Sequence, residues 1–330
     1  MRAADSCHHS VVTRAARFSY VFIVGVFILA AATHLATPFV TVLFSYFALR
    51  KLKIVRRKWI SVALFLILFA VVLYGIGFLV RQAVIALPKI AEESIPPLIA
   101  SAQSHGIALP FSDLDSLKAA TFDVVKDEFL FVGNFARAAT RQLVFLLAAI
   151  VVAVSLFLSS GLDTFKSDAS RPNLFTAVTD EIKIRFRLFY ESFETVIGAQ
   201  ILISTINTVL TAIFVIIISL KYVPLVVGLT FLCGLLPIVG NLISNSIIVG
   251  IAFTGSARAA IAALVFLVLL HKLEYFLNSK IIGDRIKNPM WLTLLALVIG
   301  ERCMGIPGMI LAPVVLNYIK VETSRLPPTL

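Results

Sequence analysis

Charge is what this 330-residue chain lacks, since only 14% of its side chains are Asp, Glu, Lys or Arg, against about 25% in an ordinary soluble domain. The deficit is gathered into runs: residues 18–49, 59–80, 142–162, 195–220 and 222–257 contain no such residue. A bilayer core of ~30 Å asks for about 20 apolar residues in helical form. Runs of this length exclude a soluble globular fold and read as an all-α polytopic membrane protein. The first run follows Arg14 and Arg17 but is far too long for the core of a cleavable signal peptide.

Cysteine is also scarce. Cys7, Cys233 and Cys303 are an odd set with no ligand spacing, which excludes a disulfide framework and a cysteine metal site. The chain has no G-x-x-x-x-G-K-[ST] loop, no G-x-G-x-x-G and no H-E-x-x-H, so ATP hydrolysis and zinc peptidase chemistry have no local signature. The reading is a non-enzyme without cofactor or metal, whose energy source, where transport is uphill, is an ion gradient.

Basic residues are present in excess, for a net charge of +11. They cluster beside apolar runs without interleaved aromatics, which argues against nucleic acid. Arg50, Lys51, Lys53, Arg56, Arg57 and Lys58 form a block with no acid, as cytoplasmic loops do. With Arg14 and Arg17 also cytoplasmic, the first run must turn back on itself, and Pro38 is the expected corner, between helices over 18–36 and 38–53. Trp59 opens a third helix to about residue 80. The expected organisation is N-terminal spans over 1–80, an extramembrane amphipathic subdomain over 81–141, and a transport core over 142–330 containing an interfacial helix at 172–193. That last segment places Phe175, Val178, Ile182, Phe186, Phe189 and Phe193 on one stripe.

Two of about eight hydrophobic segments are interrupted. Pro237-Ile238-Val239-Gly240 breaks the first, with Asn241 and Asn245 just after it, and Gly305-Ile306-Pro307-Gly308 breaks the second. Thirty unbroken residues would measure ~45 Å, longer than the hydrocarbon core, so each segment is either a kinked span or a re-entrant hairpin. Hairpins put Lys280, Arg285 and Lys287 on the cytoplasmic side, which the positive-inside rule favours. Backbone groups freed at membrane depth are tolerated only against protein or an aqueous cavity, and paired interrupted segments point to a transporter's binding site. The breaks are expected to meet around a polar chamber.

Ionisable groups near these segments are the candidates for a substrate or ion path. His271, Glu274 and Asn278 share a face of a helix over 256–278 by their spacing of three and four. Glu301 and Arg302 precede the second break; as helical neighbours they diverge by about 100° and each requires another partner or a bound solute. The polar residues of the fifth span, among them Gln200, Ser204, Asn207 and Thr211, read as interhelical packing groups.

The last hundred residues carry more specific information. Leu236-Pro237-Ile238-Val239-Gly240, Leu273-Glu274, Ile281-Ile282-Gly283, Asn288-Pro289-Met290-Trp291-Leu292 and Gly305-Ile306-Pro307-Gly308-Met309-Ile310-Leu311-Ala312-Pro313 resemble, in order and spacing, the autoinducer-2 exporter family of bacterial permeases. Asn241 stands where that family usually has Pro, as does Ser279. While the expectation of cytoplasmic termini starts from Arg14 and Arg17, the resemblance implies a bacterial inner-membrane protein, a homo-oligomer with a pentamer as one candidate, and export of a small polar solute such as autoinducer-2. It equally implies the alternative of monovalent cation/proton exchange, with sodium or the proton as partner. An alternative of another class is a membrane scaffold that transports nothing and recruits a partner through the 81–141 segment.

Overall fold

The computed structural model describes residues 14–53, 57–104, 132–159, 173–236, 239–277 and 289–325. Among the described residues every regular element is helical: α1 (Arg14–Ala32), α2 (Ala36–Lys51), α3 (Lys58–Ser104), α4 (Val132–Leu158), α5 (Leu174–Ile217), α6 (Val223–Gly234), α7 (Val239–Gly255), α8 (Ala257–Leu277), α9 (Met290–Met304) and α10 (Ile306–Thr323). Among the described residues three stretches are long and apolar enough to cross a membrane, namely α1, the Lys58–Ala86 part of α3, and α5. Their outward side chains are apolar as well: Val21 and Ile28 on α1, Ile67 and Val71 on α3, and Ile216 and Ile217 on α5 are all more than half exposed. Such belts suit acyl chains and would be a liability in water.

The chain forms two compact units, one of residues 1–65, 146–198 and 284–330, the other of 66–145 and 199–283. In the first, α1 ends in a Schellman turn. The Leu35 N–H donates to the Ala30 carbonyl at 2.9 Å and the His34 N–H to Ala31 at 3.3 Å, with His34 in the left-handed region at φ 55°. The corner therefore lies at Thr33–Leu35 and not at Pro38. Pro38 sits in the first turn of α2, where a missing N–H forfeits no helical bond.

The C-terminal end of the apolar stripe expected of an interfacial helix is covered within this unit, while Phe175 at its start is exposed. Phe189 meets Phe27, Phe39 and Tyr318 with ring centroids 5.4, 6.2 and 5.8 Å away, and Phe193 meets Phe44 at 5.2 Å, edge to face. The segment and the span after it are a single helix of 44 residues, about 66 Å long at 1.5 Å per residue. The charges up to Glu194 change the helix's surroundings without ending it, and the chain passes into the second unit a few residues later. Likewise α3 continues beyond Arg81 to Ser104, and residues 105–131, the middle of the expected amphipathic subdomain, lie outside the described residues.

In the second unit α5 ends on another Schellman turn, with Ser219 at φ 52° and the Leu220 N–H on the Val215 carbonyl at 2.9 Å. Leu225 and Val226, at the start of α6, share a core with Ile248, Ile251 and Ala252, near the end of α7, so these two helices run antiparallel. The same three residues pack with Ala260, Ala263 and Leu267 of α8, after a turn at Ser256 whose hydroxyl accepts the Ala259 N–H at 3.1 Å.

Candidate functional site

Both interrupted segments are helical hairpins. Helix α6 has 12 residues and α7 has 17; α9 has 15 and α10 has 18. The legs of each lie against one another, at Gly240 and Cys233 in the first and at Gly300 and Gly308 in the second, so each break reverses the chain and the kinked-span alternative gives way.

The first break frees carbonyls at the end of α6, and α5 supplies their donors. Gln200 Nε2 donates to the Gly234 carbonyl at 2.6 Å, and Ser204 Oγ to the Phe231 carbonyl at 2.8 Å. An added Cβ at Gly234 would stand 2.5 Å from that same Ser204 oxygen, so glycine is what lets the helices come this close. Gly240 is buried in the first turn of α7, its Cβ position overlapped by the Cys233 carbonyl. Pro237 lies outside the described residues, and of Asn241 only the helical backbone is described.

Below this junction the polar face of α5 continues into a small cleft lined by Asn207, Thr230, Ser244, Asn245, Leu267, Leu270, His271 and Glu274. These residues come from α5, α6, α7 and α8. Asn207 is only 4% exposed, yet its Oδ1 has no hydrogen-bond partner among the described residues, and neither does the Thr211 hydroxyl one turn further on. Buried polar atoms are nearly always paired, so an orphaned acceptor on a cleft wall marks a place where a solute or water supplies the donor. Glu274 is largely buried, with His271 Nδ1 3.9 Å from its Oε2. The Thr230 hydroxyl donates to Val226 at 2.8 Å and keeps its lone pairs. The lining is rich in acceptors and carries one carboxylate.

Of the residues singled out in the sequence, the structure brings Asn245, His271 and Glu274 together, while Asn278 falls outside the described residues. Asn207 and Thr230 are additions. The only sequence signal for Asn207 was its place on the polar face of the fifth span, which looks the same whether its members bond a neighbouring helix, as Gln200 and Ser204 do, or face a cavity.

The second break is built differently and belongs to the first unit. Gly305 adopts φ 63° and ψ −146°, a region essentially reserved for glycine, and its N–H closes α9 on the Glu301 carbonyl at 2.6 Å. Pro307 lies in the first turn of α10. The backbones of Gly300 and Gly308 touch so closely that a Cβ on Gly300 would be 2.5 Å from the Gly308 carbonyl oxygen, and one on Gly308 would overlap the Gly300 carbonyl. Leu297, Met309 and Ala312 close the apolar side of this hairpin. Glu301 and Arg302, near its tip, are exposed.

Residues 18–326 match the family described as AI-2E family transporter. The chain is also 27% identical, over 285 residues covering 80% of it and 79% of the relative, to the Bacillus subtilis (strain 168) protein described as "Putative transport protein YdbI". With apolar membrane-crossing helices, two broken hairpins and a match along nearly its whole length, the chain is a membrane transporter and belongs to the AI-2E family.

Proposed function

We propose that the protein is an ATP-independent permease for a small polar solute, autoinducer-2 or a related metabolite, bound in the cleft between α5, α6, α7 and α8. The observation that carries this reading is the orphaned acceptor of Asn207 on the wall of a cleft that also holds the Glu274 carboxylate. Acceptors suit the hydroxyl donors of such a solute. The void itself is no larger than a water molecule, so passage requires these helices to part, as in alternating access. Protonation of His271 or Glu274 changes the charge of the cleft and couples the opening to a proton. Glu301 and Arg302, exposed among apolar neighbours at a hairpin tip, ask for an aqueous surrounding, which a re-entrant hairpin facing a water-filled path provides.

A second reading, monovalent cation/proton exchange, is favoured by the same carboxylate together with hydroxyl and amide oxygens, which are hard donors. Both readings go with a bacterial inner membrane, cytoplasmic termini and a homo-oligomer, and the basic residues Arg14, Arg17 and those of 50–58 support a cytoplasmic N-terminus.

Flux measured in proteoliposomes under an imposed proton or sodium gradient tests them. Solute movement that follows the proton gradient and is lost in Asn207→Leu supports the permease, whereas sodium movement without solute selects exchange. Unchanged flux in both Asn207→Leu and Glu274→Gln removes the cleft from the path. Exposed Cys303 reports on the hairpin tip: a water-soluble thiol reagent should modify it in intact membranes, and a tip buried in lipid would leave it unreacted.

A further inference from the structure

The basic corner between α2 and α3 plays no part in the cleft, and its charges are unequally committed. Arg50 and Lys51, in the last turn of α2, face Glu194 of α5 at 3.9 and 2.8 Å. Lys58 Nζ donates to the Leu158 carbonyl at 2.8 Å, at the C-terminal end of α4, where a cation is favoured by the helix dipole. Lys53 and Arg57 are different: both are exposed, and neither makes an ion pair among the described residues. Four residues apart, their Cα atoms lie within about 14 Å, near enough for two long side chains to converge on one phosphate. Among the described residues Glu194 is the acid that faces this corner, and it is engaged by Arg50 and Lys51.

Directly beyond these bases the surface turns apolar. Trp59 is 72% exposed, and Ile60 and Leu64 continue the outward face of α3, while Ser61, Val62 and Phe65 turn inward and are buried. A free inorganic anion would use the bases and leave this face uncovered, and a nucleic acid would do the same. A ligand with a phosphate at one end and hydrocarbon at the other covers both.

We infer that the α2–α3 corner binds an anionic phospholipid, its headgroup phosphate held by Lys53 and Arg57 and its acyl chain lying along α3 from Trp59. An indole at this junction occupies the interfacial depth that Trp prefers, and basic residues beside a membrane helix attract anionic headgroups.

The test uses the full chain purified in a zwitterionic detergent, with its unfolding temperature followed while phosphatidylglycerol, phosphatidylcholine or inorganic phosphate is titrated. Phosphatidylglycerol should raise the unfolding temperature saturably and the other two should not. Each membrane-proximal base contributes about fivefold to lipid affinity. Lys53→Gln with Arg57→Gln should therefore weaken the apparent phosphatidylglycerol affinity ~25-fold, and the charge-preserving pair Lys53→Arg with Arg57→Lys should retain it. Both side chains are exposed, so the lipid-free unfolding temperature of each pair should match that of the parent protein. An equal rise with phosphatidylcholine, a rise reproduced by inorganic phosphate, or undiminished affinity in the neutralised pair would each overturn the assignment.

Discussion

The two hairpins carry nearly the same punctuation, a proline and a glycine within four residues, and each seats a glycine against backbone, Gly240 on Cys233 and Gly308 on Gly300, yet they differ in what satisfies the break. At α6–α7 the turn leaves backbone carbonyls that side chains of a third helix must satisfy, Gln200 on Gly234 and Ser204 on Phe231. At α9–α10 the hairpin closes on itself, backbone against backbone at Gly300 and Gly308. Polar closure brings polar side chains with it, and those of α5 run on from the junction to line a cleft. Glycine closure brings none, and the charges beside it, Glu301 and Arg302, are exposed. A broken membrane helix thus marks a hairpin in both places, but among the described residues a polar cleft adjoins the break that is satisfied from outside.

The contrast is broken most severely at Gly308. Gly308→Val drives a branched side chain into the Gly300 carbonyl, and with backbone on the other side no flexible group is there to yield. We expect a loss of about 3 kcal/mol, the upper range for overpacking, seen as a large drop in unfolding temperature or as protein that never becomes monodisperse in detergent. A normal unfolding transition for Gly308→Val would mean that the two backbones do not touch.

At the other hairpin Gly240 also seats against backbone, at the Cys233 carbonyl, and the lesion that tests its polar closure is the smaller one, because it removes a single side-chain donor. Gln200→Leu keeps most of the volume and strands the Gly234 carbonyl, which costs about 2 kcal/mol for a buried unpaired group. Restoring a donor with Gln200→Lys should recover part of the loss. Thermal unfolding of the three proteins side by side measures it, and equal stability of the Leu and Gln forms would show that water serves this carbonyl.

How far these differences were legible in the sequence depends on the distance over which their cause acts. Pro237, Gly240, Gly305 and Pro307 act through their own backbone, so the breaks were readable where they stand, whereas the choice between kinked span and hairpin leaned on bases elsewhere, Lys280, Arg285 and Lys287. The corner at His34 was missed because any residue can enter the left-handed region when a Schellman turn holds it there, while Pro38, the visible signal, fits a helix start equally well. The border drawn near residue 194 followed charge, and a helix does not end where its surroundings change. Asn207 could be recognised as polar in an apolar span but not as orphaned, because that depends on what α6, α7 and α8 bring near it. Least legible was the cluster around Arg185. Its guanidinium lies 4.2 Å from the centre of the Tyr20 ring and pairs with Glu181 and with Glu322, the latter at 3.6 Å, while the Tyr20 hydroxyl donates to Glu322 at 2.6 Å. Tyr20 and Glu322 are separated by almost the whole sequence, and no local pattern announces such a pair.

The remaining predictions separate the polar cleft from the glycine hairpin by function. Glu274→Gln preserves shape and removes the one carboxylate of the cleft. If that charge serves transport, flux should fall at least tenfold, a loss of about 1.4 kcal/mol in the transition state, with the unfolding temperature little changed. Unfolding that moves in parallel with flux would instead make Glu274 a packing group. Glu301→Gln is the mildest change. Its side chain is exposed and makes no ion pair among the described residues, so neutralising it uncovers no buried partner, and stability should stay within ~0.5 kcal/mol of the parent. A larger loss would show that Glu301 is held by a charge elsewhere in the assembled protein, and the second hairpin would then also be satisfied from outside.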